Sequence, residues 1–100
     1  MVIVRNIFQI KFGQAKQATD LWRQAASILR DAGLVDDARL LTDLAGESFY
    51  TLVLETTHNS LADWERSMQG LKDNAPWREV YDKIIAVTDT GRREILSVIA

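Results

Sequence analysis

Four stretches of the chain have the apolar pattern of β-strands. Val2 to Phe12 and Arg93 to Ile99 alternate between apolar and polar side chains. Arg39 to Leu44 and Ser48 to Thr56 flank the short turn Ala45-Gly46-Glu47. The glycine allows a tight reversal of the backbone, so these two stretches are predicted to form a hairpin.

The second arm of this hairpin is apolar on both of its faces from Phe49 to Leu54. A strand of this kind must be covered twice, by helices on one side and by another layer on the other. In a chain of 100 residues the second layer is most simply a second copy of the same sheet. The pattern therefore predicts a homodimer. We expect Tyr50, Leu52 and Leu54 to face the helices, and the inverted assignment of the two faces stays open.

Two regions have the spacing of amphipathic helices. The first begins at Gln14 and is expected to stop at Gly33. Its apolar stripe is Ala15, Ala18, Trp22, Ala25, Leu29 and Ala32. The second begins at Ser60, which suits a helix cap, is kinked before Pro76 and is expected to end at Gly91. Its stripe is Leu61, Trp64, Met68 and Leu71, followed by Trp77, Val80, Tyr81 and Ile84.

The predicted order of elements is β-α-β-β-α-β. Connection rules fold this order most naturally as an α+β ferredoxin-like sandwich, with an antiparallel four-stranded sheet and both helices on one face. Two such sheets packed face to face would make a dimeric α/β barrel. Residues 1–100 contain no composition shift or internal repeat, so a single domain is predicted.

Composition narrows the partners and the chemistry. The chain has 12 basic and 14 acidic residues, a net charge of -2 and no long run of either sign, so no nucleic-acid partner is expected. The absence of cysteine excludes disulfides and thiolate chemistry. Arg5 and Asn6 interrupt the first apolar run, which is neither a signal peptide nor a membrane span. We therefore expect a cytoplasmic protein that does not associate with membranes.

Asn6 is the strongest candidate for a functional residue, because its carboxamide lies in an otherwise apolar row of the first strand. A buried amide needs hydrogen-bond partners and could orient a ligand carbonyl or an oxygen species. The alternative is an amide that backbone groups satisfy within the fold. Aromatic rings on the helical stripes would line the same pocket, or serve only as core. The candidate ligand-binding residues are Trp22, Tyr50, Trp77 and Tyr81, and Tyr50 could instead point outward between subunits.

His58 is the only histidine of the chain. It lies in a polar strand-to-helix connection, Thr57 to Ser60, where a solvated or capping role is expected rather than catalysis. The acidic residues show no ligand spacing, and neither a metal nor a cofactor is predicted. Arg92 and Arg93 are expected at the solvated start of an edge strand.

The stretch Arg5 to Lys16, the segment Leu61 to Trp64 and the order of elements resemble the dimeric α+β barrel superfamily. Within it the chain looks most like the antibiotic-biosynthesis-monooxygenase-like proteins, and more distantly like the NIPSNAP proteins. The resemblance in layout spans the whole chain. It implies a pocket between sheet and helices, in a superfamily that includes cofactor-independent oxygenases and haem-degrading enzymes.

The haem-degrading members build their site from a strand-one asparagine, a tryptophan early in the second helix and a histidine that follows it. Asn6 and Trp64 match the first two, and the resemblance therefore implies them as catalytic residues. No histidine follows Trp64 in the sequence, so the haem ligand has no counterpart.

Three functional hypotheses follow. The first is a cofactor-independent monooxygenase-like protein that binds a small aromatic or apolar ligand between sheet and helices. The second is a non-catalytic ligand-binding or structural dimer whose pocket is filled by its own side chains. Haem binding is the third, and the missing histidine weakens it.

Overall fold

A computed structural model describes residues 1–46 and 49–100. The elements are β1 (Val2–Ile10), α1 (Ala15–Asp31), β2 (Asp37–Thr42), β3 (Thr51–His58), α2 (Leu61–Lys72), α3 (Ala75–Ala86) and β4 (Thr88–Ser97). The strands form one antiparallel sheet in the order β2-β3-β1-β4. This is the predicted α+β ferredoxin-like fold, with the second helix divided in two. Within the described ranges no helix is long and apolar enough to cross a membrane.

The core lies between one face of the sheet and the helices. Trp22 and Leu29 of α1 and Ile84 of α3 are its largest fully buried side chains, together with Val4. Leu52 and Leu54 of β3 are 4% and 3% exposed in this core. Both side chains therefore face the helices, as the pattern predicted. The alternating positions of β3 face the other side of the sheet.

Helix α1 ends at a left-handed glycine, as predicted. Gly33 has a φ of 67°, a conformation that costs glycine least. The Leu34 N–H then donates to the Leu29 carbonyl at 3.0 Å, which satisfies one of the last carbonyls of the helix. The chain turns sharply here and enters β2.

The kink predicted at Pro76 is a break between two helices. The Ser60 side chain caps α2 by accepting from the Asp63 N–H at 3.1 Å, as the sequence indicated. Asn74 caps α3 in the same way, since its side chain accepts from the Trp77 N–H at 2.9 Å. Proline lies in the first turn of α3, where its missing N–H has no helical partner to lose.

The predicted strand ends were wrong around the hairpin. Strand β1 ends at Ile10, and Phe12, which was expected in its apolar row, is 81% exposed. Strand β3 begins at Thr51, because Tyr50 has a φ of 59° and leaves the extended conformation. Strand β2 ends at Thr42, so the connection is longer than the predicted turn. The turn residue Glu47 and the predicted first strand residue Ser48 lie outside the described residues.

Two predictions on the helix layer were also wrong. Leu61 is 47% exposed at the start of α2, although it was placed on the apolar stripe. Gly91 does not end a helix but lies inside β4, opposite Phe8 of β1. A Cβ atom at Gly91 would lie 2.8 Å from Phe8 Cδ1. The absence of a side chain at Gly91 therefore leaves room for the Phe8 ring.

In the described residues no helix covers the opposite face of the sheet, which we call the open face. Its apolar side chains are Ile3, Ile7, Leu41, Val53 and Leu96, and all of them keep some exposure. Glu55 is only 5% exposed between Arg5, at 3.0 Å, and Arg39, at 2.5 Å. The hydrogen bond from Arg39 holds the pKa of Glu55 below its ordinary value, against the opposing effect of burial. This is the face on which a second sheet was predicted to pack.

Candidate functional site

A pocket of about 460 Å³ lies between the helix-covered face of the sheet and the helices. Its volume is within the range of about 300–1,000 Å³ that is typical of small-molecule sites. Side chains from all three helices and from β1, β3 and β4 line it. The sequence-predicted residues among them are Asn6, Trp22, Trp64, Trp77 and Tyr81.

A row of four aromatic rings forms one wall of the pocket. Phe8 stacks on Trp22 with ring centroids 4.9 Å apart. Trp22 meets the edge of Trp77 at 6.3 Å, and Trp77 stacks with Tyr81 at 5.7 Å. Trp22 is 1% exposed and Tyr81 is 37% exposed, so the row runs from the core to the surface. Flat aromatic ligands could stack against it at low cost in conformational entropy.

Trp22 carries the one buried side-chain donor of this wall that has no partner among the described residues. Its Nε1 atom is buried and is the only such side-chain atom in the part of the chain that the structure describes. An indole nitrogen can only donate, so the atom that could satisfy it is an acceptor. Buried polar groups are nearly always paired, which makes this orphaned donor notable in a pocket wall.

Asn6 forms a polar cluster with Arg93 and Trp64. Arg93 Nε donates to Asn6 Oδ1 at 2.7 Å. The Arg93 guanidinium carbon lies 5.2 Å from the centre of the Trp64 ring, within the range of a cation–π contact. Because a guanidinium only donates, the amide oxygen must face Arg93, and the Asn6 NH₂ group is left to donate elsewhere. We call these three residues the Asn6 cluster.

The role of Arg93 was missed in the sequence. Arg93 is exposed on the edge strand, as predicted, but its guanidinium contacts two pocket residues. Its neighbour Arg92 faces the other side of the sheet and pairs with Glu94 at 3.0 Å. Only the register of β4 on β1 would have revealed this, since it places Arg93 opposite Asn6 after a shift in pairing between Gln9 and Ile10.

Tyr50 is the predicted ligand-binding residue that does not line the pocket. Its ring meets Phe12 at 5.2 Å, edge to face, and lies near Phe49 at 6.5 Å. It packs against the outside of the core at the end of the sheet where the hairpin turns. Its phenol is therefore not close to the Asn6 cluster.

His58 does not lie in a solvated loop, and that expectation was wrong. Strand β3 continues to His58, which is 2% exposed, with Nε2 2.9 Å from Thr56 Oγ1. Burial lowers the pKa of His58, and the carboxylate of Asp36 opposes this with a smaller effect. The imidazole borders a smaller depression with Asp36, Asp63 and Arg66, away from the aromatic row.

Residues 1–46 and 49–100 contain no group of three or more His, Asp or Glu side chains arranged to hold a metal ion. The titratable side chains that face the pocket are Tyr81, Asp89 and Arg93, and Arg92 borders it with its side chain directed to Glu94 on the open face. No carboxylate of the described residues lies within ion-pair distance of Arg93. Chemistry in this pocket would therefore use hydrogen-bond donors, a cation and aromatic surfaces.

Comparison with solved structures identifies the fold. A NIPSNAP family protein from Agrobacterium tumefaciens superposes with a TM-score of 0.83 at 15% identity, over 96% of this chain and 90% of that chain. A NIPSNAP domain protein from Burkholderia xenovorans gives 0.84 at 14%, over 100% and 96%. The chain has the fold of the NIPSNAP and antibiotic biosynthesis monooxygenase-like proteins.

Enzymes occur among these structures. SnoaB, a cofactor-independent oxygenase from Streptomyces nogalater, superposes in a mutant form with a TM-score of 0.76 at 11% identity, over 99% of this chain and 93% of that chain. At these identities the likeness concerns the fold alone. No protein-family model matches the sequence, and no curated protein matches it either.

Proposed function

We propose that this chain is the subunit of a homodimeric, cofactor-independent monooxygenase-like protein that binds a small aromatic ligand in the pocket. The Asn6 cluster carries the proposal. It places a hydrogen-bond donor and a cation in the same pocket as the aromatic wall, where they could bind an oxygen atom of a stacked ligand. The fold shared with a cofactor-independent oxygenase supports the same reaction class.

Each member of the Asn6 cluster has a role in this proposal. The Asn6 NH₂ group orients a ligand oxygen or an oxygen species, and Arg93 stabilises negative charge as it develops there. The Trp64 ring holds the guanidinium from one side. Trp77 and Tyr81, the more exposed rings of the aromatic row, stack on the ligand and exclude water from it. Without a cofactor the electrons for oxygen must come from the substrate, so an activated phenol is the favoured class.

Oxygen uptake tests the activity. The wild-type protein, without any added cofactor, is expected to consume oxygen with at least one member of a panel of activated phenols. Asn6→Ala is expected to lower the rate by roughly tenfold to a hundredfold, because it removes an oriented donor. Asn59→Ala, an amide exposed outside the pocket, is the matched control and should retain the wild-type rate. Equal rates in all three proteins would contradict the proposal.

A binding protein without turnover is the second candidate. It is favoured by the surroundings of the Asn6 cluster, since no histidine lines the pocket to act as a general base. The version in which side chains fill the pocket is not favoured, because about 460 Å³ lies beside Asn6. Aromatic ligands that bind without oxygen uptake would support this candidate. A haem titration is expected to give no Soret band of a ligated haem.

The dimer is proposed to form through the open face. Its apolar side chains come from all four strands, and Ile7 pairs with Val53 on the two central strands. Sedimentation of the wild-type protein should give twice the mass of the 11.3 kDa chain. Val53→Glu is expected to give a folded monomer, because it buries an unpaired charge in the interface. Leu61→Glu, the same change on the exposed start of α2, should leave the dimer intact.

A further inference from the structure

Four charged residues of the open face lie in one line across the sheet. They are in direct register from strand to strand, in the order Arg39 of β2, Glu55 of β3, Arg5 of β1 and Glu94 of β4. The sign of the charge therefore changes at every strand, from positive at one edge of the sheet to negative at the other. We call these four residues the charge row.

The charge row runs between apolar side chains of the same face. On the side of the hairpin, Leu41, Val53 and Ile7 lie in register on neighbouring strands. On the other side, Ile3 pairs with Leu96. A second layer that covers these apolar side chains must also cover the charge row. Its own charges there must be opposite in sign, because an unpaired charge in an interface is costly.

A second copy of the sheet can place its charge row over that of the first in two ways, which differ in the direction of the two-fold axis. If the axis lies along the strands, between β1 and β3, the edge strand β2 faces the partner's β4. The two central strands then face each other. If the axis lies along the charge row, every strand faces its own copy. The two arrangements therefore bring different charges together.

The charge row is complementary to a second copy only in the first arrangement. Arg39 then lies over the partner's Glu94, and Arg5 lies over the partner's Glu55. By symmetry all four facing pairs have opposite charges. The second arrangement places every charge over the same charge, and like charges that face each other disfavour an interface strongly.

The apolar side chains and the geometry of packed sheets agree with the first arrangement. It places Ile7 over the partner's Val53 at the middle of the interface. The edge strands lie about 7 Å from the axis, so the rotation of about 30° between packed sheets displaces their facing residues by about 4 Å. The long side chains of arginine and glutamate can span this displacement.

We propose that this chain forms its dimer with the two-fold axis along the strands, and that the charge row specifies this orientation. The partner that fits the open face is a second copy of the chain, with Arg39 of each subunit beside the partner's Glu94. This inference rests on the proposed function only in taking the open face as the dimer interface. It requires neither a ligand in the pocket nor a reaction there.

An exchange of charges between the two edge strands tests the orientation. Arg39→Glu and Glu94→Arg should each raise the dissociation constant of the dimer roughly tenfold or more, because each places two pairs of like charges in the interface. The double variant, with both changes, should form a dimer about tenfold tighter than either single variant. Positions 39 and 94 lie on opposite edges of one sheet, so this recovery requires contact between subunits. Sedimentation at several protein concentrations measures all four constants.

Two controls separate the effect from damage to the subunit. Arg39→Glu also loses the bond to Glu55 within the chain, whereas Glu94→Arg changes a more exposed side chain that leaves this bond intact. Glu94→Arg alone therefore distinguishes the two orientations, since the second arrangement has like charges at position 94 before and after the change. Arg23→Glu, the same reversal on the exposed side of α1, should leave the dissociation constant unchanged.

Mixed dimers provide an independent measurement. Wild-type protein is mixed with isotope-labelled Arg39→Glu protein, and native mass spectrometry counts the dimers of each mass. In the proposed orientation a mixed dimer has one opposite pair and one like pair at the edge strands, so it should form at the share expected for random pairing. In the other orientation position 39 faces itself, and mixed dimers would exceed that share.

Unchanged dissociation constants in both single variants, no recovery in the double variant, or an excess of mixed dimers would each overturn the orientation. A wild-type protein that sediments as a monomer of 11.3 kDa would refute the proposed dimer and the orientation with it. A dimer that Val53→Glu dissociates, but that the double exchange does not restore, would refute the role of the charge row alone.

Discussion

Arg5 and Asn6 are neighbours in β1, and they face opposite sides of the sheet. The two faces differ in how their charged groups are paired. On the open face Arg5 pairs with Glu55, which is 5% exposed and also bonded by Arg39. On the helix-covered face Asn6 accepts from Arg93, which is exposed and forms no ion pair with a carboxylate of the described residues. On the open face the buried charge of Glu55 is neutralised by two arginines of the same chain. On the helix-covered face the cation of Arg93 has a neutral amide as its partner.

The difference separates a structural ionic group from a candidate binding group. A carboxylate between two arginines is satisfied, and any further layer can pack over it without leaving a charge unpaired. A guanidinium that rests on an amide oxygen and an aromatic ring is held in place but not neutralised. The difference agrees with the proposals that the first face serves assembly and the second a ligand.

The largest effect should come from the covered face. Trp22→Ala removes a fully buried ring and is expected to lower the free energy of unfolding by about 3–5 kcal/mol. Trp64→Ala removes a partly exposed ring that lines the same pocket, and it should lower the free energy of unfolding by less than half as much. Urea denaturation of both variants measures the difference. Equal losses of unfolding free energy in the two variants would show that Trp64 contributes to the packed core as much as Trp22 does.

Gly91→Ala tests how tightly β4 meets β1 beside the pocket. The added methyl group would press on the Phe8 ring, which is already stacked on Trp22, and overpacking of this kind costs about 1–3 kcal/mol. Ligand affinity should fall as well, because Phe8 and Trp22 line the pocket. Gly46→Ala is the control, since nothing lies within 4 Å of its added Cβ. A Gly91→Ala protein of wild-type stability would show that Phe8 has room to move.

Glu55→Gln probes the open face. It removes the charge between Arg5 and Arg39 and is expected to cost about 1 kcal/mol, a modest value because both arginines are partly exposed. The pKa of Glu55 is lowered in the folded protein, so its stabilisation is complete above the unfolded pKa and is lost as the pH falls through the folded value.

Urea titrations of the wild type and of Glu55→Gln should therefore converge in acid, below the ordinary glutamate range near about pH 4.3. Glu94→Gln, which breaks a more exposed pair on the same face, should have a smaller effect. A difference that persists in acid would show that Glu55 acts through packing rather than through charge.

The smallest effect expected is that of His58. Burial lowers its pKa, so the unfolded chain takes up the proton first and stability falls as the pH drops below about 6.5, the ordinary histidine value. His58→Gln keeps a hydrogen-bonding side chain but does not titrate. Thermal melts of both proteins across that pH range should show a melting temperature that falls with decreasing pH in the wild type alone. The same slope in both proteins would assign it to another group.

Much of the fold was predictable because it follows from local patterns. The alternation in β1, the left-handed Gly33 and the Ser60 cap each depend on residues close in sequence. Asn6 was predictable as a pocket residue for the same reason, since its amide interrupts an apolar row. The strand ends were less predictable. Phe12 fits the alternation, but the chain has already left the sheet at that point.

Arg93 and His58 show what the local pattern does not contain. Both are polar residues near a predicted element end, where solvent is the simplest expectation. Two additional strand residues bring His58 into the core, and the register of β4 on β1 brings Arg93 beside Asn6 and Trp64. The neighbours of a side chain across a sheet depend on register, and register is set by pairing between distant segments.

The sequence by itself determined the order of the elements and the presence of one amide in an apolar row, and it indicated, with the inverse left open, which side of β3 faces the helices. These features follow from periodicity and capping, which depend on residues only a few positions apart in the chain. Only the tertiary structure decided that Arg93 bonds to Asn6 rather than to a carboxylate of residues 1–46 or 49–100, that the Trp22 N–H meets no acceptor in those ranges and that Tyr50 lies outside the pocket. These features arise where strands and helices distant in the chain meet, and packing rather than composition selects the atoms that face one another.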